Sequence, residues 1–158
     1  MVRAPEDVCD ITPEPPAAAG SATGDRLMVI TLSSFTFRLL TIFQVHDNEA
    51  NRAYFLQAAV GRTLEEEFAE VANLCCGALN RQMAAFFPHL AMSIPYMLNE
   101  ACLDHLPHLK PAYTRRFTIS INDSVKVSVT LCMCCSAPVA IPVSAPVVEQ
   151  TTGELELF

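Results

Sequence analysis

Thr63-Leu64-Glu65-Glu66-Glu67-Phe68-Ala69-Glu70-Val71-Ala72-Asn73-Leu74-Cys75-Cys76-Gly77-Ala78-Leu79-Asn80-Arg81-Gln82-Met83-Ala84-Ala85-Phe86-Phe87, followed by Pro88, decides the fold. Threonine is a good N-cap, and a glutamate three residues later completes a capping box, so Thr63 and Glu66 start a helix. Proline has no N–H to donate and disfavours helical geometry at the residue before it, so Pro88 ends the helix near Phe87. At 3.6 residues per turn, Leu64, Phe68, Val71, Ala72, Cys75, Leu79, Met83 and Phe86 fall on one side. That apolar stripe is expected to pack on a sheet.

Working outward, 27–32 and 35–45 read as a strand pair joined at Ser33-Ser34, because their β-branched and aromatic residues suit pleated backbone. Asp47 is the expected N-cap of a short helix from Asn48 to about Ala59, with Gly61 as its stop. Downstream, 91–94, 115–121 and 125–133 read as strands, the last two joined by Asn122-Asp123-Ser124. The stretch 99–109 is open between a short helix and a loop, limited by Pro107 and Pro111. Strands, helices, then strands imply an α+β fold: one antiparallel sheet with long helices packed on one face.

The flanks have a different composition. Residues 1–25, with Pro5, Pro13, Pro15, Pro16 and an alanine run, carry no periodicity and read as a flexible leader. Residues 26–136 form the expected domain. Residues 137–158 return to Pro, Val and Ala, and read as a tail whose closing Glu154-Leu155-Glu156-Leu157-Phe158 alternates.

Length and charge narrow the function. A chain of 158 residues suits one domain. A net charge of −7 with scattered basic residues argues against nucleic acid. Arg38 in the most apolar stretch, 27–45, argues against a membrane span, since a central arginine costs about 2.5–3.5 kcal/mol on insertion scales. Seven cysteines, several adjacent, suit reduced thiols in the cytoplasm better than a spaced disulfide framework.

Opposite the apolar stripe, Glu66, Glu70, Asn73, Gly77 and Asn80 are spaced by four, three, four and three. They form a polar line expected to face outward. Most such lines are simply solvated helix faces. Asparagine and glycine are poor mid-helix residues, however, and Gly77 costs about 1 kcal/mol relative to alanine, which favours a function for this line.

Glu70-Val71-Ala72-Asn73-Leu74-Cys75-Cys76-Gly77-Ala78, followed by Ser93-Ile94-Pro95, resembles the Glu-x-x-Asn helix and downstream Ser-x-Pro of the CheC/CheX/FliY chemotaxis family, and of CheX-like proteins in particular. The resemblance covers about residues 35–133. It implies a phosphatase for the aspartyl phosphate on a CheY-like response-regulator receiver domain, within two-component signalling. In that reading Asn73 positions the attacking water and Glu70 pairs with the receiver's active-site lysine, while Glu66, Gly77, Asn80 and Pro95 contact the partner. The chain itself binds no cofactor; Mg²⁺ belongs to the receiver. One such helix implies one site per chain. The family also joins sheets in dimers, a role that the 117–133 hairpin edge is expected to fill. The alternative is a non-catalytic CheX-like module that binds a receiver or another signalling partner.

Other chemistry is weaker. Cys132, Cys134 and Cys135 with His105 and His108 lack standard zinc spacing, and alternate strand residues point to opposite faces, so no metal site is expected. His46 and His89 have no carboxylate at ligand spacing. No glycine cluster marks a phosphate-cradling loop.

Overall fold

The structure is a computed structural model that describes residues 7–14, 26–57 and 61–140. A seven-stranded antiparallel sheet runs in the order β1-β6-β7-β3-β2-β4, with β5 also paired to β2. The strands are β1 (Cys9–Glu14), β2 (Arg26–Ser33), β3 (Phe37–Val45), β4 (Ala91–Met92), β5 (Tyr96–Asn99), β6 (Tyr113–Ile121) and β7 (Val125–Cys135). Two α-helices, α1 (Glu49–Phe55) and α2 (Leu64–Ala84), cover one face, as the α+β reading requires. A 3₁₀ helix, Glu100–Leu109, covers part of the other.

Alternation along β2 explains the two-sided burial. Met28, Ile30 and Leu32 point toward α2, while Leu27 and Val29 point toward the 3₁₀ helix, and all five are buried. The apolar stretch 27–45 is therefore the buried centre of a sheet. No helix among the described residues is long and apolar enough to cross a membrane. A 3₁₀ helix repeats every three residues, so Glu100, Leu103 and Leu106 share its inner side. There Leu103 and Leu106 pack on Leu27, Val29 and Ile42, and Glu100 accepts from Gln44 Nε2 at 2.8 Å.

The long helix starts as expected. Thr63 Oγ1 accepts from the Glu66 N–H at 3.2 Å, and Glu66 Oε2 accepts from the Thr63 N–H at 2.8 Å. The helix ends at Ala84, three residues before the expected stop, because the N–H groups of Phe86 and Phe87 both turn back to the Met83 carbonyl. This places Phe87 edge-on to Phe37, with centroids 4.9 Å apart.

Several expectations are corrected. Residues 9–14, within the expected leader, form β1, which pairs along its length with β6. Its anchors are tertiary: Asp7 accepts from Tyr54 Oη at 2.7 Å and from Asn122 Nδ2 at 2.8 Å, and Glu14 pairs with Arg116 at 3.0 Å. The 117–133 hairpin is consequently interior, with β1 outside β6 and β3 outside β7. A sheet-joining dimer through that hairpin has no free edge to use.

The cap of α1 is Asn48, whose side chain accepts from the Asn51 N–H at 2.8 Å; Asp47 instead pairs with Arg52. The helix closes at Leu56, short of Ala59, and Gly61 takes a left-handed φ of 81°. The tail's last residues, 141–158, lie outside the described residues.

On α2 the buried cysteine is Cys76, 1% exposed, not Cys75, which is exposed. One residue is about 100° of helix, and the covered side shifts along α2. The first half, bearing Leu64, Glu67 and Phe68, is held between the sheet and α1. Beyond Ala72 the buried positions are Cys76 and Met83, on one flank.

Candidate functional site

The first three acids of α2 each have a distinct partner. Glu65 pairs with Arg26 at 3.3 Å and Glu67, itself buried, with Arg62 at 2.6 Å. The carboxylate of Glu66 is held below the ordinary glutamate range by the backbone N–H and then the hydroxyl of Thr63. It caps the helix, as the capping-box reading expected, while remaining exposed.

Glu70 differs from all three. It is exposed and, among the described residues, has no ion-pair or hydrogen-bond partner. Asn73 follows one turn on, half-buried, and its amide also has no partner among the described residues. An i, i+3 pair brings the two Cβ atoms to about 5–6 Å on one face. A carboxylate and an amide, both uncommitted, thus stand side by side.

The remainder of the line tilts away from full exposure. Gly77 and Asn80 are half-buried, and the Asn80 Oδ1 is enclosed without a partner among the described residues. They lie toward the flank that carries Cys76 and Met83, so the line rolls inward as the covered side shifts. A methyl on Gly77 would meet nothing nearer than Arg81 Nη1 at 3.7 Å, so nothing described in the molecule demands glycine there.

Pro95 lies in the edge strand rather than on the helix. Pairing of β4 places Leu32 opposite Met92, whereas β5 places Val29 opposite Tyr96. Three residues, Ser93-Ile94-Pro95, therefore oppose two of β2, which makes a bulge. A proline there forfeits no ladder bond. Ser93 Oγ takes the Thr31 N–H at 3.0 Å, and Ser93 N–H reaches the Thr31 carbonyl at 2.9 Å. The bulge leaves Ile94 81% exposed. Since α2 rests on β2 and β4, the helix and the bulged edge border the same side of the sheet.

Three residues were not anticipated: Leu74, Ile94 and Arg81. Leu74 is 47% exposed beside Glu70 and Asn73, and an apolar side chain on a polar line was itself a visible sign. Two grooves, of about 580 Å³ near Arg26 and Met97 and about 870 Å³ near Phe35 and Tyr96, are lined by neither Glu70 nor Asn73. The pair thus lies outside both grooves, on the exposed side of a helix, where a macromolecule can meet it.

The cysteines and histidines do not gather. Cys132 is buried, His105 and His108 stack with centroids 5.7 Å apart, and among the described residues no three His, Cys, Asp or Glu side chains form a metal-binding group.

No family model matches the sequence, and no curated protein matches it. Solved structures do match its fold. CheX of Borrelia burgdorferi, solved in a CheX–CheY–BeF₃–Mg²⁺ complex, superposes with a TM-score of 0.54 at 14% identity, covering 78% of this chain and 82% of that one. A putative chemotaxis protein from Desulfovibrio vulgaris Hildenborough gives 0.52 at 11% identity, covering 81% and 83%. Chemotaxis protein CheX from Vibrio vulnificus gives 0.51 at 13% identity, covering 78% and 85%. The chain therefore has a CheX-like fold.

Proposed function

We propose that this protein docks the outer face of α2 on a CheY-like receiver domain and hydrolyses its aspartyl phosphate. The observation that carries the reading is the exposed Glu70 one turn from Asn73, both uncommitted among the described residues, on a fold shared with a CheX solved together with CheY.

An acyl phosphate is a reactive anhydride, and the receiver supplies Mg²⁺ and holds the phosphoryl group. What the second protein adds is a water placed in line behind phosphorus. The Asn73 amide suits this task, since its carbonyl accepts from the water, its NH₂ donates, and it stays neutral. The water oxygen bonds to phosphorus as the bond from phosphorus to the receiver's carboxylate oxygen breaks. The aspartate leaves as carboxylate, and the water's proton passes to phosphate or bulk solvent. By the family resemblance, Glu70 engages the receiver's lysine and fixes the approach of the helix. Leu74, one turn from Glu70, adds exposed apolar surface beside this pair.

The second reading, docking without hydrolysis, draws on the half-burial of Asn73, which shortens its reach. Following phosphate release from a phosphorylated receiver separates the two. Acceleration by sub-stoichiometric protein supports hydrolysis; an unchanged or slowed loss rejects it in favour of docking.

A further inference from the structure

Resting on the docking reading above, we infer that Arg81 is a recognition residue of this face, taking an oxyanion of the receiver with its guanidinium at the level of Gly77. The distance of 3.7 Å from Arg81 Nη1 to a Cβ position on Gly77 locates the guanidinium: it folds back over the glycine. Helical side chains lean toward the N-terminus, so a cation rooted at position 81 reaches the level of residue 77. Gly77 is itself four residues, about 6 Å of helix rise, beyond Asn73.

Charge supports the assignment. Arg26, Arg52, Arg62 and Arg116 are all engaged by acids. Arg81, like Arg38 and Arg115, is exposed with no acidic partner among the described residues, and of these three it alone lies on α2 with Glu70 and Asn73. The outer face of α2 therefore presents, in order, a carboxylate at Glu70, an amide at Asn73, an open Cα at Gly77 and a guanidinium above it. A receiver bearing an aspartyl phosphate offers oxyanions, and a planar guanidinium matches a carboxylate or a phosphoryl group through two parallel N–H bonds. The guanidinium lies 3.7 Å from where a Cβ on Gly77 would stand, so its outer side is left to the partner's oxyanion. Arg81 binds and orients; Asn73 remains the residue at the reacting water.

The test titrates a labelled receiver, phosphorylated and unphosphorylated, against wild type, Arg81→Ala and Arg81→Lys at low and high salt. Arg81→Ala is expected to weaken binding by about tenfold, the scale of one charged hydrogen bond, and to flatten the salt dependence. Lysine should recover part of the loss, lacking the fork. A loss confined to the phosphorylated receiver assigns the contact to the phosphoryl oxygens, and an equal loss on both forms assigns it to a carboxylate. In turnover, KM should rise while kcat stays within about twofold.

Unchanged affinity of Arg81→Ala for both receiver forms would overturn the inference while leaving the phosphatase reading intact. Arg81-dependent binding by a wild type that releases no phosphate would do the reverse. A wild type that binds neither form removes both.

Discussion

Phe68→Ala is the substitution whose cost the structure constrains best. Phe68 is 3% exposed and wedged edge-on between Phe43, at 5.9 Å, and Phe55, at 5.3 Å. It joins the sheet, α1 and α2 in one contact, two residues before Glu70. Truncating a buried phenylalanine to alanine costs about 3–5 kcal/mol, since lost burial adds to the cavity left behind. Two lost edge-to-face pairs, at about 0.5–1.5 kcal/mol each, place it in the upper half of that range. A domain is stable by only about 5–15 kcal/mol, so much of the margin goes. With a urea m-value of about 2 kcal/mol per molar, the midpoint should fall by about 2 M. Leu74→Ala, at a 47% exposed position on the same helix, should move it by no more than about 0.3 M. Equal shifts in the two variants would refute the packing of α2 described above, and with it the orientation of Glu70 and Asn73.

Other perturbations test separate parts of the structure. Burial pushes the Cys76 thiol up to about 11 from 9.0, so its stabilisation is full below pH 9 and is lost as pH rises toward 11. The loss is up to about 1.4 kcal/mol per pH unit; Cys76→Ala should flatten this alkaline limb in urea titrations, and an unchanged limb would contradict it. Ser93→Ala leaves the Thr31 N–H without its acceptor, which should cost about 1–3 kcal/mol and speed hydrogen exchange at that amide above its β2 neighbours. Thr63→Ala removes the cap and should cost about 0.5–2 kcal/mol by thermal unfolding. Because Glu66 is held below the ordinary carboxylate range, wild-type stability from this cap is full at neutral pH and fades as pH falls below the usual glutamate value. The variant should keep most of that acid limb, because the backbone N–H at position 63 still reaches Glu66 Oε2.

The parts of the fold that local physics dictates could be read from the residues. The Thr63–Glu66 box, the Pro88 stop to within three residues, the β6–β7 turn and the strand pair across 27–45 all follow from caps, turns and residue preferences. In that turn Asn122 and Asp123 adopt φ values of 50° and 56°, which asparagine and aspartate tolerate. What could not be read depends on distant partners. Cys9–Glu14 has little apolar content and a proline, and becomes a strand only because β6 offers an edge and Asp7, Tyr54, Asn122, Glu14 and Arg116 hold it there. The 3₁₀ helix looks ambiguous because Pro107 breaks α-helical bonding yet is tolerated in this one. Cys75 and Cys76 differ by one helical step, and only the roll of α2 on the sheet decides which is buried. For the site, the exposure of Glu70 was legible from spacing. The half-burial of Asn73 and Asn80 was not.

The most direct measurement is single-turnover loss of phosphate from a phosphorylated receiver with wild type and Asn73→Ala, each checked for an unchanged melting transition. The account predicts a fall in rate of about 10² or more in the variant, to near the receiver's own rate, with binding largely kept. A folded Asn73→Ala protein that removes phosphate as fast as wild type would contradict the claim that this amide holds the attacking water.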